Sequence, residues 1–118
     1  MKRIEAVIRK SKFDEVKEAL SKAGIDFFTY WEVRGIGKSR QERLYRGVMY
    51  DTSIIERILL SIYVRDKLLE PAVQSILKTA YTGEIGDGKI FVSDVIQSYR
   101  IRTGESGDDA LFIKGEQE

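Results

Sequence analysis

Residues 55–92, IERILLSIYVRDKLLEPAVQSILKTAYTGEIGDGKIFV, contain a complete strand–helix–strand unit. Apolar residues alternate through 55–64, and this period of two predicts a strand with one buried face. From Asp66 onward the apolar positions recur at helical spacing and predict a helix with a wide buried stripe. The glycine-rich turn YTGEIGDG follows the helix, and KIFV at 89–92 predicts the next strand.

The first part of the chain has the same order of elements. Residues 2–9 have Ile4, Ala6 and Ile8 at alternate positions, on one face, and predict a strand with one buried side. Ser11 stands where the N-cap of a following helix is expected, and Gly24 stands where that helix would end. Residues 25–34 are rich in aromatic and β-branched types and predict a second strand.

Two β-α-β units in tandem predict an α+β fold, a ferredoxin-like βαββαβ sandwich with both helices on one face of an antiparallel sheet. Between the units, residues 35–53 have three glycines and many charges but no clean period. We therefore expect a long loop over 37–54 between strands 2 and 3, and loops of this length are usually functional or disordered. An extended stretch at 95–103 precedes a polar tail, 104–118, that we expect to be mobile.

The composition excludes several kinds of chemistry. The chain has 118 residues, which argues for a single domain over 1–118, and it contains neither cysteine nor histidine. These absences rule out disulfides, thiol catalysis, Cys/His zinc sites and histidine-based triads. Twenty basic against 19 acidic residues give a net charge of +1, whereas nucleic-acid binders usually have a large basic excess. No apolar run is long enough to span a membrane and no secretory signal is evident, so we expect a cytoplasmic protein.

The segment GEIGDGK at 83–89 has the glycines and the lysine of a P-loop. Ile90 replaces the Ser or Thr that would bind magnesium, and the segment leads from a helix into a strand instead of the reverse, so it is not a Walker A site. Its backbone amides could still converge on an anion beside Lys89. The alternative is a turn that needs positive φ next to a surface lysine.

Two further segments are basic. In a strand, Arg100 and Arg102 would share a face, where two guanidinium groups suit a polyphosphate or two carboxylates; a solvated strand edge is the alternative. The long loop has four basic residues and one acid between Lys38 and Arg46, with Tyr45 among them. Such a segment could contact RNA, or it could be a flexible solvated loop.

Several segments together carry a resemblance to a known family. They are EVRGIGK, LYRG followed by a tyrosine, TGEIGDGKIFV and YRIRTGE. On these residues the chain resembles the PII signal-transduction proteins, which regulate nitrogen assimilation, over nearly its whole length. The resemblance implies a ferredoxin-like homotrimer that binds ATP or ADP in clefts between subunits and docks its long loop onto a target protein. It implies a regulator and not an enzyme, with an ammonium transporter as the leading target, so that contact with a membrane would be indirect.

The resemblance also implies which residues bind the nucleotide. Gly86, Asp87, Gly88 and Lys89 would line the phosphates, and the loop base beside them would be formed by Gly35, Gly37 and Lys38. Thr29, Arg100 and Arg102 would come from the neighbouring subunit or complete its side of the cleft. Amides and cations around a triphosphate require no base or nucleophile, and Mg²⁺ bound with the nucleotide is compatible with this set.

Two positions depart from the family pattern. Members that sense 2-oxoglutarate usually have a glutamine directly after G-x-G-[KR], and it helps to hold magnesium and the keto acid. Here that position is Ser39, which is too short to replace it, although Gln41 is close by in the sequence. Arg57 takes the place of a lysine and changes the geometry while keeping the charge. We therefore expect ATP and ADP sensing, while 2-oxoglutarate sensing is in doubt. Tyr50 matches a tyrosine that is nucleotidylated in some members and unmodified in many others.

Two alternatives from other classes remain open. A small enzyme of the acyl-phosphate hydrolase type would need an anion cradle after the first strand, and no such loop follows it. An RNA-recognition module would need its aromatic motif on the third strand, where ILLSIYV has none, so we expect no nucleic-acid partner. A variant of the main hypothesis is a regulatory domain of a transporter fusion.

Overall fold

The computed structural model describes residues 1–39 and 51–112, in which four strands form one antiparallel sheet and two helices cover one of its faces. The elements in chain order are β1 (Lys2–Arg9), α1 (Phe13–Lys22), β2 (Thr29–Ser39), β3 (Asp51–Val64), α2 (Asp66–Ala80) and β4 (Gly88–Asp94). The strand order is β2-β3-β1-β4, and each neighbouring pair is antiparallel. This is the predicted ferredoxin-like βαββαβ arrangement.

The core lies between the two helices and the sheet. Because successive side chains of a strand point to opposite faces, alternate residues of β1 and β3 meet in the same layer. The pairing of Ile4 with Ile62 and of Ala6 with Leu60 illustrates this register. The buried apolar residues of the core are Ile4, Ala6, Ile8, Val16, Leu20, Ile25, Ile58, Leu60, Ile62, Val64, Ala72, Ile76 and Ala80. Of the helices described, none is long and apolar enough to cross a membrane.

Helix α1 matches the sequence expectation at its end but not at its start. Ser11 lies in a 3₁₀ turn over Lys10–Lys12, and no side chain caps the first residue of the helix, so the predicted N-cap is wrong. At the other end Gly24 has φ 92°, as predicted for a residue that ends a helix. The N–H of Ile25 donates to the carbonyl of Leu20 at 2.9 Å, which completes a Schellman motif and brings Ile25 into the core.

Strands β2 and β3 have different limits from those predicted. β2 begins at Thr29, because residues 25–28 carry the chain away from the Schellman turn. Pairing of the two strands then continues as far as Ser39 opposite Asp51, so residues 37–39 and 51–54 of the predicted loop belong to a two-stranded ribbon. Main-chain hydrogen bonds form such a ladder without an alternating apolar pattern, so the ribbon could not be predicted from the order of side chains. Residues 40–50 lie outside the described part of the chain.

The chain after β4 forms a hairpin instead of the extended stretch predicted at 95–103. Tyr99 and Ser106 form a single bridge. The N–H of Arg100 donates to the carbonyl of Glu105 at 2.8 Å, and the N–H of Gly104 donates to the carbonyl of Arg100 at 2.7 Å. Residues 104–112 of the tail therefore fold back on the domain, and residues 113–118 lie outside the described part.

Candidate functional site

The carboxylate of Asp87 holds the glycine-rich turn together. Its Oδ2 accepts hydrogen bonds from the backbone N–H of Thr82 at 2.7 Å and of Gly83 at 2.9 Å. Its Oδ1 accepts from the hydroxyl of Thr82 and from Nε of Arg9, the latter at 3.0 Å. Burial opposes the charge, but the hydrogen bonds from Thr82, Gly83 and Arg9 outweigh it and hold the pKa of Asp87 well below its usual range. Asp87 is thus an ionised anchor whose two oxygens are engaged within the chain.

The turn lies very close to strand β1 at Gly88. The residue has φ 105°, and a Cβ atom there would lie 1.7 Å from the carbonyl oxygen of Val7. Gly86 also has φ 105°, and its Cβ would lie 2.9 Å from Nη2 of Arg57. The first contact is with rigid backbone and the second with the end of a flexible side chain. Glycine at position 88 is therefore what allows the turn to approach the sheet.

Two arginines lie beneath the turn at the same end of the sheet. Arg9 of β1 and Arg57 of β3 face each other across the ladder. Arg9 contacts Asp87 and also donates to the carbonyl of Ile85 at 3.1 Å. Burial and repulsion from Arg9 lower the pKa of Arg57, and Asp87 acts in the opposite direction. One carboxylate balances only one of the two guanidinium charges, so positive charge remains beneath the turn.

The first group of predicted binding residues lies at this end of the sheet. Lys89 is exposed and pairs with Val7 where β4 begins. Val33 of β2 pairs with Arg57. The predicted residues of the loop base follow Val33 where β2 continues into the ribbon, and they are Gly35, Gly37 and Lys38. Backbone amides in a glycine turn, together with lysine and arginine cations, are well suited to hold an anion.

Comparison with known proteins identifies the family. The family model described as nitrogen regulatory protein P-II matches residues 1–105. The chain is 46% identical over 112 residues to the nitrogen regulatory protein P-II of Bradyrhizobium diazoefficiens and equally identical to that of Azospirillum brasilense. Each alignment covers 94% of this chain and 100% of the relative. The chain belongs to the P-II family.

Two solved structures have the same fold as this P-II protein. The B. subtilis GlnK–ATP complex is 30% identical and has a TM-score of 0.79, with 93% of this chain and 94% of that chain covered. B. subtilis GlnK is 35% identical and has a TM-score of 0.76, with coverage of 93% and 97%. The predicted family and the predicted ferredoxin-like fold are therefore confirmed.

The second group of predicted binding residues lies away from the first in the P-II chain. Thr29 pairs with Ser61 near the start of β2, and Ser61 also pairs with Glu5 of β1. Arg100 and Arg102 follow the far end of β4, where Asp94 pairs with Lys2. Lys2 is seven residues from Arg9 along β1, which corresponds to about 23 Å of strand. Within the described residues of a single chain, the second group therefore does not lie next to the glycine turn and the base of the ribbon.

The structure also separates Arg100 from Arg102. The prediction that both lie on one strand face is wrong, because Ile101–Thr103 form a turn. Nη1 of Arg100 donates to Glu105 at 2.6 Å, and its Nη2 donates to the carbonyl of Phe112. Arg102 is exposed, and no hydrogen bond or ion pair of its side chain is found among the described residues. The two arginines are therefore not equivalent in this chain.

The positions that depart from the P-II pattern are described in part. Ser39 ends β2 opposite Asp51, and its backbone belongs to the ribbon. Arg57 lies beneath the glycine turn next to Arg9. Gln41 and Tyr50 lie outside the described residues, so the predictions made for them stay predictions.

Sequence reasoning missed Arg9 and Thr82, which fix the turn. Arg9 falls on the polar face of an alternating strand, where an arginine is expected to be solvated. The available sign was the short spacing of Thr82 and Asp87 within a glycine-rich segment, because Thr and Asp side chains often bond nearby backbone N–H groups in turns.

Proposed function

We propose that this protein is a homotrimeric sensor of adenine nucleotides that binds ATP and ADP competitively between neighbouring subunits. The observation that carries the proposal is the division of the site between two distant parts of one chain. Residues 86–89 and the base of the ribbon lie at one end of the sheet, whereas Thr29, Arg100 and Arg102 lie nearer the other. A neighbouring copy related by rotational symmetry would supply the missing half to each site. The ATP complex of the B. subtilis relative supports adenine nucleotide as the ligand.

The face of the sheet that the helices leave uncovered supports an oligomer. Trp31, Tyr63 and Phe91 belong to three different strands, and they are 50%, 50% and 55% exposed. Their cross-strand partners place them on the face opposite the core residues. Near them, Arg3 and Glu5 form an ion pair at 3.0 Å. Exposed aromatic residues beside an ion pair are typical of a surface that another protein chain covers, and we assign this face to the trimer contact.

The chemistry of the proposed site is binding without bond cleavage. Amides of the glycine turn and the ammonium group of Lys89 would contact phosphate oxygens, with Arg102 added by the neighbour. Asp87 would position the turn and would not contact phosphate, since a carboxylate repels it and both of its oxygens are already engaged. Among the described residues no group of acidic side chains is arranged to hold a metal ion, so Mg²⁺ would be held mainly by the phosphates. This chemistry favours a regulator over the hydrolase and RNA-binding alternatives.

The ribbon would connect the nucleotide site to a target protein. Gly37 and Lys38 pair with Ser53 and Thr52, so a phosphate group at the base of the ribbon would act on both strands that lead to residues 40–50. We propose that ATP and ADP reorganise this segment, which docks onto a cytoplasmic face of the target, with an ammonium transporter as the first candidate. Because Ser39 stands where a glutamine would help to hold 2-oxoglutarate, we expect no response to this keto acid. Modification of Tyr50 stays a prediction.

Isothermal titration calorimetry tests the proposal, together with a measurement of molar mass in solution by light scattering. We expect competitive binding of ATP and ADP with one site per subunit, and a mass three times that of the chain. The variant Lys89→Ala should lower ATP affinity about tenfold, as expected for the loss of one charge-assisted contact. Lys17→Ala, an exposed lysine on α1, is the matched control and should bind as the wild type does. Absence of binding at millimolar nucleotide, or a monomeric mass, would contradict the proposal.

A further inference from the structure

The side chain of Arg100 holds residues 105–112 in place. Its Nη1 lies 2.6 Å from Oε1 of Glu105, and the same oxygen accepts a hydrogen bond from the hydroxyl of Thr103 at 2.9 Å. The side chains of Arg100 and Glu105 are only 18% and 31% exposed, so this ion pair is better shielded from water than an ordinary surface pair.

The far end of the same segment is held through Phe112. Its carbonyl oxygen accepts a hydrogen bond from Nη2 of Arg100, and its ring lies 4.1 Å from the guanidinium carbon of Arg65. The second contact has the geometry of a cation–π interaction. Ser98 adds a hydrogen bond to the carbonyl of Gly107 at 2.8 Å. Arg100 thus contacts both ends of residues 105–112.

We propose that Arg100 is an exchangeable latch, which holds residues 105–112 through Glu105 and Phe112 and releases them when phosphate displaces Glu105. This inference rests on the proposed function. Carboxylate and phosphate compete for arginine because both match the planar fork of the guanidinium group. The two terminal nitrogens of Arg100 are already used by Glu105 and Phe112. A phosphate that binds end-on across both terminal nitrogens therefore competes directly with these two contacts.

Arg102 can bind the phosphate before Arg100 does. Its side chain is exposed, whereas that of Arg100, two residues earlier, is still bound to Glu105 and Phe112. Release of residues 105–112 would then provide a second nucleotide-dependent surface, separate from residues 40–50. Because linkage is reciprocal, loosening the segment must raise nucleotide affinity by the same factor by which nucleotide loosens the segment.

The variant Glu105→Gln tests the latch, because it removes the competing charge and leaves a side chain of similar size. We expect ATP affinity to rise about tenfold, which is the scale of one partly exposed charge-assisted hydrogen bond. Asp109→Asn is the matched control, because Asp109 is an exposed acid in the same segment, and its ATP affinity should equal that of the wild type. Hydrogen exchange of residues 105–112 in the wild-type trimer should become faster when ATP is added.

A purely structural role of Glu105 predicts the opposite results. ATP affinity would then fall or stay unchanged in Glu105→Gln, and ATP would slow exchange in residues 105–112; any of these results overturns the latch. Phe112→Leu provides a second variant, which removes the ring contact with Arg65 and should also raise ATP affinity. If the wild type binds ATP but Glu105→Gln binds it no more tightly, the latch alone fails. If the wild type binds no ATP, the proposed function fails and the latch fails with it.

Discussion

Replacement of Gly88 by alanine tests how the glycine-rich turn is built. The substitution adds one methyl group at a residue with φ 105°, and its carbon would lie 1.7 Å from the carbonyl oxygen of Val7. Gly88 pairs with Ile8 at the start of the β1–β4 ladder. The added atom must therefore either separate the strands at this point or change the path of the turn.

Two costs add at this position. A left-handed backbone conformation costs an alanine about 1–2 kcal/mol relative to glycine. The contact with Val7 is more than 1 Å too close and involves rigid backbone, so relief of it should break one or two hydrogen bonds at the strand end, at about 1 kcal/mol each. We expect Gly88→Ala to lower the free energy of unfolding by about 2–4 kcal/mol, a large part of the total for a domain of this size.

Urea unfolding followed by circular dichroism measures this cost, and two other glycines serve as matched controls. Gly104 has φ 75° but open space around it, so Gly104→Ala should cost only about 1–2 kcal/mol from the backbone conformation. Gly35 has neither a left-handed φ nor a close neighbour, so Gly35→Ala should change stability by about 0.5 kcal/mol or less. If Gly88→Ala costs no more than Gly104→Ala, the close approach of the turn to Val7 is not a constraint and the reasoning is wrong.

Two further predictions concern the turn and the ligand. The pKa of Asp87 is lowered on folding, so its ionised form stabilises the protein above the ordinary aspartate pKa of about 4, and this contribution is lost as the pH falls towards the folded-state pKa. Asp87→Asn should therefore lower the free energy of unfolding by about 2 kcal/mol at pH 7, as measured with urea, and by about 1 kcal/mol less at pH 3. An equal loss of stability at both pH values would contradict this prediction. Ser39→Gln should introduce 2-oxoglutarate binding in the presence of Mg-ATP, as measured by calorimetry, and tight binding by the wild type would show that Ser39 is no barrier.

The sequence was most informative where side-chain patterns report on burial. The period of two in β1 and β3 and the wide stripe of α2 predicted the core and the order of elements, and Gly24 marked the end of α1 correctly. It was least informative where main-chain contacts decide the structure. The extension of β2 to Ser39 depends on ladder hydrogen bonds, and every residue type except proline can donate one from its main chain.

The candidate site was predictable in residue type and less so in geometry. The glycines and cations of residues 83–89 indicated an anion site, and the fold places them next to Arg57. The inward orientation of Asp87 depends on Arg9, which is 78 residues away in sequence, so no local pattern could show it. The strand predicted for Arg100 and Arg102 was wrong, because the contacts of Arg100 with Glu105 and Phe112 favour a hairpin.

The central claim, that each nucleotide site is shared by two subunits, is tested most directly by mixing two variants. Lys89→Ala and Arg102→Ala each remove one half of every site, so neither trimer alone should bind ATP with wild-type affinity. After the two chains are unfolded together and refolded in equal amounts, a shared site predicts that about a quarter of the sites regain both residues and bind tightly. A site contained within one chain would regain none, because every chain carries one of the two substitutions. Recovery of about a quarter of the tight sites in calorimetry is the predicted result, and no recovery in a mixed trimer of confirmed composition would contradict the account.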